Sequence, residues 1–101
     1  MQRATQGSNQ PSGETVNILL VDDLPANLLV LEAILGDLGQ NLVRAHSGEE
    51  ALHLLEQQDF AVVLLDVRMP GLDGFETARI IRARTETQHT PIIFISAQAG
   101  D

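Results

Sequence analysis

Phe60-Ala61-Val62-Val63-Leu64-Leu65, followed at once by Asp66, is the stretch on which the reading of the chain turns. A short, unbroken apolar run describes a strand buried on both faces, the pattern of a parallel sheet covered by helices. Immediately downstream, Met69 to Gly74 holds Pro70, Gly71 and Gly74 and reads as a loop. Asp73 and Glu76 have the spacing of a helix start, which predicts a helix over roughly Gly74 to Arg84. Pro91-Ile92-Ile93-Phe94-Ile95 is the next apolar run and the next strand.

Upstream, the same alternation is present. Ile18-Leu19-Leu20-Val21 is a doubly buried strand. Pro25 opens a helix, and Leu24, Leu28, Leu31, Leu35 and Leu38 recur at spacings of four and three on one helix face, which assigns them to the core. Gly39 ends that helix. Leu42-Val43-Arg44-Ala45 is a more polar strand, placed toward the sheet edge. Ser47 and Glu50 have capping-box spacing and start a second helix carrying Ala51, Leu52 and Leu55. Residues 1–15, polar and rich in Gln, Ser, Gly and Asn, read as a disordered leader, so the folded domain is expected over residues 16–101.

Alternating strands and helices imply parallel strands with helices on both faces, a doubly wound α/β fold. The composition agrees: 101 residues allow one domain, and 44% hydrophobic with 20% charged residues is a globular balance. The absence of cysteine excludes disulfide scaffolds, thiolate metal sites and cysteine nucleophiles. A net charge of −8 repels phosphate backbones and argues against nucleic-acid binding by this segment. No apolar run reaches membrane-spanning length and no secretory signal pattern opens the chain, so a cytoplasmic location is expected.

Ligand sites in doubly wound folds lie beyond the carboxyl ends of the strands. The first strand there ends in Asp22-Asp23, the third in Asp66 and the fourth in Ser96. Three carboxylates converging on one rim is costly: two unit charges about 4 Å apart repel by about 4 kcal/mol at an effective dielectric of about 20. A hard divalent cation relieves that repulsion, and Mg²⁺ prefers carboxylate and carbonyl oxygens plus water. Aspartate beside such a cation is suited to accept a phosphoryl group, because that transfer depends on alignment and charge stabilisation. The Ser96 hydroxyl could then bond a phosphoryl oxygen, a contact present only in the modified state.

These residues carry a family resemblance. The stretches Ile18-Leu19-Leu20-Val21-Asp22-Asp23, Leu64-Leu65-Asp66-Val67-Arg68-Met69-Pro70-Gly71-Leu72-Asp73-Gly74 and Pro91-Ile92-Ile93-Phe94-Ile95-Ser96-Ala97 resemble the receiver domain of two-component response regulators, the CheY-like, flavodoxin-like fold. The resemblance implies that Asp66 is the phospho-acceptor, taking its phosphoryl group from a kinase histidine with Mg²⁺. It implies a Mg²⁺ site formed by Asp22, Asp23, Asp66 and Arg68, in which Asp23 binds directly, Asp22 mostly through water, and Arg68 through its backbone carbonyl. Ser96 would be the switch hydroxyl, and small Ala97 would leave room for the phosphoryl group. Arg68 and Gln98 occupy positions that tune dephosphorylation in the family. Implied partners are a sensor histidine kinase or a phosphotransfer domain, with an output domain downstream in the same protein. The first helix helps to bind the donor in the family, so exposed members such as Leu29 would serve there. Since the product is the modified domain itself, a turnover enzyme is not expected.

Receivers of this family have five strands and five helices in strand order 2-1-3-4-5, whereas this chain stops past the fourth strand and contains no lysine. A C-terminally truncated receiver lacking the last helix-strand-helix portion is therefore expected. Its apolar edge at Ile92 to Ile95 would invite edge pairing or strand exchange in a dimer. Without the family lysine, an interaction-only pseudo-receiver is the alternative. A phosphatase using Asp66 as nucleophile is disfavoured because Arg68, two residues on, offers no acid–base carboxylate. A dinucleotide enzyme is disfavoured because no Gly-x-Gly-x-x-Gly follows the first strand. His46, His53 and His89 share no metal-ligand spacing and read as surface residues. Arg79, Arg82 and Arg84 with Glu76 read as a solvated helix face with local ion pairs.

Overall fold

The strands expected from the apolar runs form and pair in parallel. In the computed structural model, which describes residues 14–96, they are β1 (Asn17–Val21), β2 (Asn41–Ala45), β3 (Val62–Asp66) and β4 (Ile92–Ile95), in the order β2-β1-β3-β4. Helices α1 (Pro25–Leu35), α2 (Gly48–Gln57) and α3 (Gly74–Ala83) alternate with them. The proposed leader up to residue 13, and Ala97 and Gln98, lie outside the described residues.

The continuous apolar runs are explained by what covers each face. Leu19, Val21, Val63 and Leu65 pack with Ala51, Leu52 and Leu55 of α2 and Ala78 and Ile81 of α3. Ile18 and Leu20 point the other way and pack with Leu28 of α1. Side chains alternate along a strand, so two covered faces require every position to be apolar.

The third strand starts two residues later than expected and takes in Asp66. Phe60 precedes the ladder but is still buried in the larger core, so its hydrophobicity serves packing and not pairing.

The first helix departs most from its leucine pattern. It ends at Leu35, and a 3-10 turn (Gly36–Leu38) follows before Gly39 closes it with φ 71°. Leu24 is the extended N-cap residue and Leu38 lies in the tighter turn, so neither shares the helix phase; they are 54% and 57% exposed. Leu28 is the one fully buried residue of α1, with Leu31 and Leu35 packed at the edge of the same cluster. A bidentate contact adds to its docking: Arg44 of β2 donates to both oxygens of Glu32, at 2.7 and 2.6 Å. That hydrogen bonding holds the Glu32 carboxyl below its ordinary range.

The capping signals hold, with one change. Ser47 Oγ accepts from Glu50 N at 3.0 Å, but the Glu50 side chain accepts from the His46 backbone N–H, one residue outside the N-cap. At α3 the box is complete: Asp73 Oδ1 accepts from Glu76 N at 2.8 Å and Glu76 Oε1 accepts from Asp73 N at 3.1 Å. Because the box occupies Glu76, the expected local ion pairs are replaced. Arg84 instead reaches Glu56 of α2 at 3.0 Å, and Arg82 donates to the carbonyls of Gln88 and Thr90. Asp73→Ala is expected to lower unfolding free energy by about 1 kcal/mol in a urea titration, the usual worth of an N-cap.

Candidate functional site

Each candidate residue reaches the rim because its strand ends there. Beyond β1, the Asp22 backbone N–H donates to Ala45 O at 3.1 Å, and beyond β3 the Val67 N–H donates to Ile95 O at 3.2 Å. These bonds prolong the β1–β2 and β3–β4 pairings past the assigned strands, and the β1–β3 register, which sets Val21 opposite Leu65, brings the two acid-bearing strand ends side by side. The result is that Asp22, Asp23 and Asp66 each present a carboxylate oxygen within 4.8 Å of the others'. Asp22 is fully buried, Asp66 is 6% exposed and Asp23 is half-buried.

Burial pushes the Asp66 carboxyl above its ordinary range. The Arg68 backbone N–H, 3.4 Å from Asp66 Oδ1, works against that rise, and the charges of Asp22 and Asp23 reinforce it. Burial and the two neighbouring acids together make its ionisation costly, a cost that a bound cation would offset. The donor set is all carboxylate oxygen, which suits a hard cation such as Mg²⁺ and not a soft metal. The residues present therefore fit a divalent cation.

Asp22 is held from two sides. Its Oδ1 accepts from the Leu24 backbone N–H at 3.0 Å and its Oδ2 from Asn27 Nδ2 at 3.1 Å. Asn27, in the first turn of α1, was not among the residues expected at the site. The available signal was a short polar side chain inside an apolar helix, five residues beyond an acid. Ser96 stands at the exposed end of β4 and lines, with Asp22, Asn27, Val30, Leu31 and Ile95, a cavity of about 220 Å³. Its place beside Asp22 agrees with the rim expected from the strand ends.

The loop after β3 is equally constrained. The Gly74 N–H donates to Val67 O at 3.1 Å, and a Cβ on Gly74 would lie 2.2 Å from the Asp66 carbonyl oxygen. Helix α3 therefore starts against the backbone of Asp66. Asp73 is confined to capping, as expected. His46, His53 and His89 are exposed, and among the described residues the three aspartates are the cluster with metal-binding geometry. Among these residues no helix is long and apolar enough to cross a membrane.

Comparison with known proteins agrees with this geometry. The model of the response regulator receiver domain matches residues 18–101. Sensor protein GacS of Pseudomonas syringae pv. syringae is 37% identical over 91 residues, 87% of this chain and 10% of that protein. Virulence sensor protein BvgS of Bordetella bronchiseptica is 44% identical over 80 residues, 79% of this chain and 6% of that protein. The chain thus spans about a tenth or less of the length of these curated relatives. Among solved structures, the receiver domain of sensor histidine kinase PA1611 from Pseudomonas aeruginosa PAO1, with a magnesium ion coordinated in its active site cleft, superposes with a TM-score of 0.78 at 38% identity, over 87% of this chain and 72% of that one. The N-terminal domain of a response regulator receiver protein from Methanoculleus marisnigri JR1 gives 0.76 at 34% identity, over 80% and 66%.

Proposed function

The chain belongs to the response regulator receiver domain family, and on that premise we propose that it is a Mg²⁺-dependent phospho-acceptor in which Asp66 takes a phosphoryl group from the histidine of a kinase or phosphotransfer domain. The observation that carries this reading is the buried acidic triad, with Asp66 at the end of β3 and Asp22 and Asp23 at the end of β1.

A carboxylate oxygen of Asp66 attacks phosphorus, the P–N bond of the phosphohistidine breaks, and its electron pair returns to the imidazole. Asp23, half-buried and nearest to solvent, would hold Mg²⁺ directly, with Asp66 and the Arg68 carbonyl beside it, and Asp22 would act through water. Mg²⁺, when bound, neutralises the acids and the charge on the phosphoryl oxygens. Ser96 donates its hydroxyl to the new phosphoryl group and so couples modification to the end of β4. In the receiver family, the positions that Ala97, Gln98 and Arg68 occupy in the sequence set the space for that group and its lifetime. The domain is consumed and regenerated as a signal carrier and is not a turnover enzyme.

Leu29, Val30 and Ile34 of α1 are 59%, 56% and 67% exposed, an apolar surface beside the acids that suits docking of the donor domain. Likeness to the receiver domain of sensor histidine kinase PA1611 supports a kinase as that donor. Incubated with Mg²⁺ and acetyl phosphate, a small acyl-phosphate donor, the protein should gain about 80 Da by intact mass, one phosphoryl group. EDTA should prevent the gain. No gain in a protein that binds Mg²⁺ would favour an interaction-only module in its place.

A further inference from the structure

We propose that Asn27 is a positioning residue of the metal site: its side-chain amide fixes the buried carboxylate of Asp22 in the orientation from which it serves the cation through water. The inference rests on the Mg²⁺ reading above. Helix α1 begins without help from its own cap: Leu24 offers no side-chain acceptor, and the first turn carries no acidic residue. Asp22, two residues before that cap, serves instead by accepting the Leu24 N–H on Oδ1. A single bond would leave the carboxylate free to turn about its last torsion. The Asn27 amide removes that freedom by donating to the second oxygen, Oδ2.

The location makes this more than a helix-start contact. Asp22 is fully buried, so each of its oxygens needs a partner from the protein or from what enters the site. Two donors at the start of α1 engage one oxygen each, while the carboxylate keeps an oxygen within 4.8 Å of those of Asp23 and Asp66. They also lend positive potential to a group crowded by two like charges. Asn27 is neutral, so it does this without competing for the cation as a carboxylate would. Outer partners that hold metal-binding carboxylates typically matter by about 10–100-fold in metal affinity when removed.

The test is Mg²⁺ titration by calorimetry on the full chain, with Asn27→Leu, which keeps side-chain volume and removes the donor, and Asn27→Gln, which retains an amide on a longer arm. The expected result is a Kd for Asn27→Leu about tenfold weaker than wild type, with Asn27→Gln between the two. In an Asp22→Asn background, Asn27→Leu should cause no further loss, because its action runs through that carboxylate. Equal Kd values for wild type and Asn27→Leu would overturn the inference while leaving the metal site standing. A tenfold loss that persists in the Asp22→Asn background would overturn it too, by showing a route other than Asp22. Should Asn27→Leu not fold by circular dichroism, Asn27→Ala, which also removes the donor, takes its place: a Kd weaker than wild type supports positioning, and one equal to wild type overturns it. Wild-type protein that binds no Mg²⁺ removes the metal reading itself, and this inference with it.

Discussion

Asp66→Asn is expected to abolish the phosphoryl mass gain and, at the same time, to make the metal-free protein more stable at neutral pH. The first effect follows because an amide cannot form the acyl phosphate. The second follows from the direction of the Asp66 shift. Burial, with Asp22 and Asp23 nearby, raises its folded pKa above the ordinary value of 3.8. Below that value Asp66 is protonated in both states and imposes no penalty. As pH rises from there through the raised folded value, the unfolded chain releases its proton more readily, and stability is lost. Asparagine removes that loss, so the variant should melt higher than wild type at pH 7 in EDTA, and the gap should close below about pH 4. Other carboxylates titrate in the same window, but the difference between the two proteins isolates Asp66. Mg²⁺ should reverse the order: a ligand at ten times its Kd adds about 1.4 kcal/mol to wild type, and less to a variant with a weakened site. Thermal melts with and without Mg²⁺ at two pH values test all of this. A variant less stable than wild type in EDTA at pH 7 would contradict the picture of a strained acidic pocket.

Gly74→Ala is expected to be the most damaging conservative change in the chain. The added methyl would sit 2.2 Å from the Asp66 carbonyl oxygen and 2.7 Å from Val67 Cα. Both are backbone atoms of the segment that carries the phospho-acceptor, held by the ladder through Val67 N–H to Ile95 O, so they cannot step aside. Overpacking against backbone costs about 1–3 kcal/mol or more, which for a domain of this size lowers Tm by roughly 10 °C or more. Any relief comes from moving α3 or the end of β3, so Mg²⁺ affinity should fall with stability. Gly48 makes an informative control. A methyl there would meet the Thr77 hydroxyl at 2.2 Å and Leu72 O at 3.0 Å. That strain falls between α2 and α3, away from the acids, so Gly48→Ala should lower Tm while leaving Mg²⁺ affinity near wild type in the folded fraction. Differential scanning calorimetry with a Mg²⁺ titration distinguishes the two.

How far local sequence carries can be seen residue by residue. The apolar runs near β1 and β3 announce doubly buried strands because burial on two faces leaves no polar alternation to confuse; the run near β4 announces a strand as well, although Ile93 and Phe94 there are exposed. Asp73 and Glu76 announce α3 because a capping box is satisfied within four residues. Local signals fail where a neighbour in space intervenes. Arg84 pairs with Glu56, 28 residues away, once Glu76 is engaged by Asp73. Glu50 turns to His46 because a backbone N–H lies within its reach there. The leucines of α1 overstate its burial, since the 3-10 turn shifts Leu38 out of phase and Leu24 stays outside the helix.

By itself, the sequence determined the alternation of strands and helices, the order in which acids end the strands, and the family, because hydrophobic period and motif spacing are properties of neighbouring residues. Only the tertiary structure decided that three of those acids approach within 4.8 Å, that Asn27 grips Asp22, and that Gly74 must lie against the backbone of Asp66. Those contacts join segments of different strands and helices, and their distances depend on how the sheet and helices pack, which no short window of sequence contains.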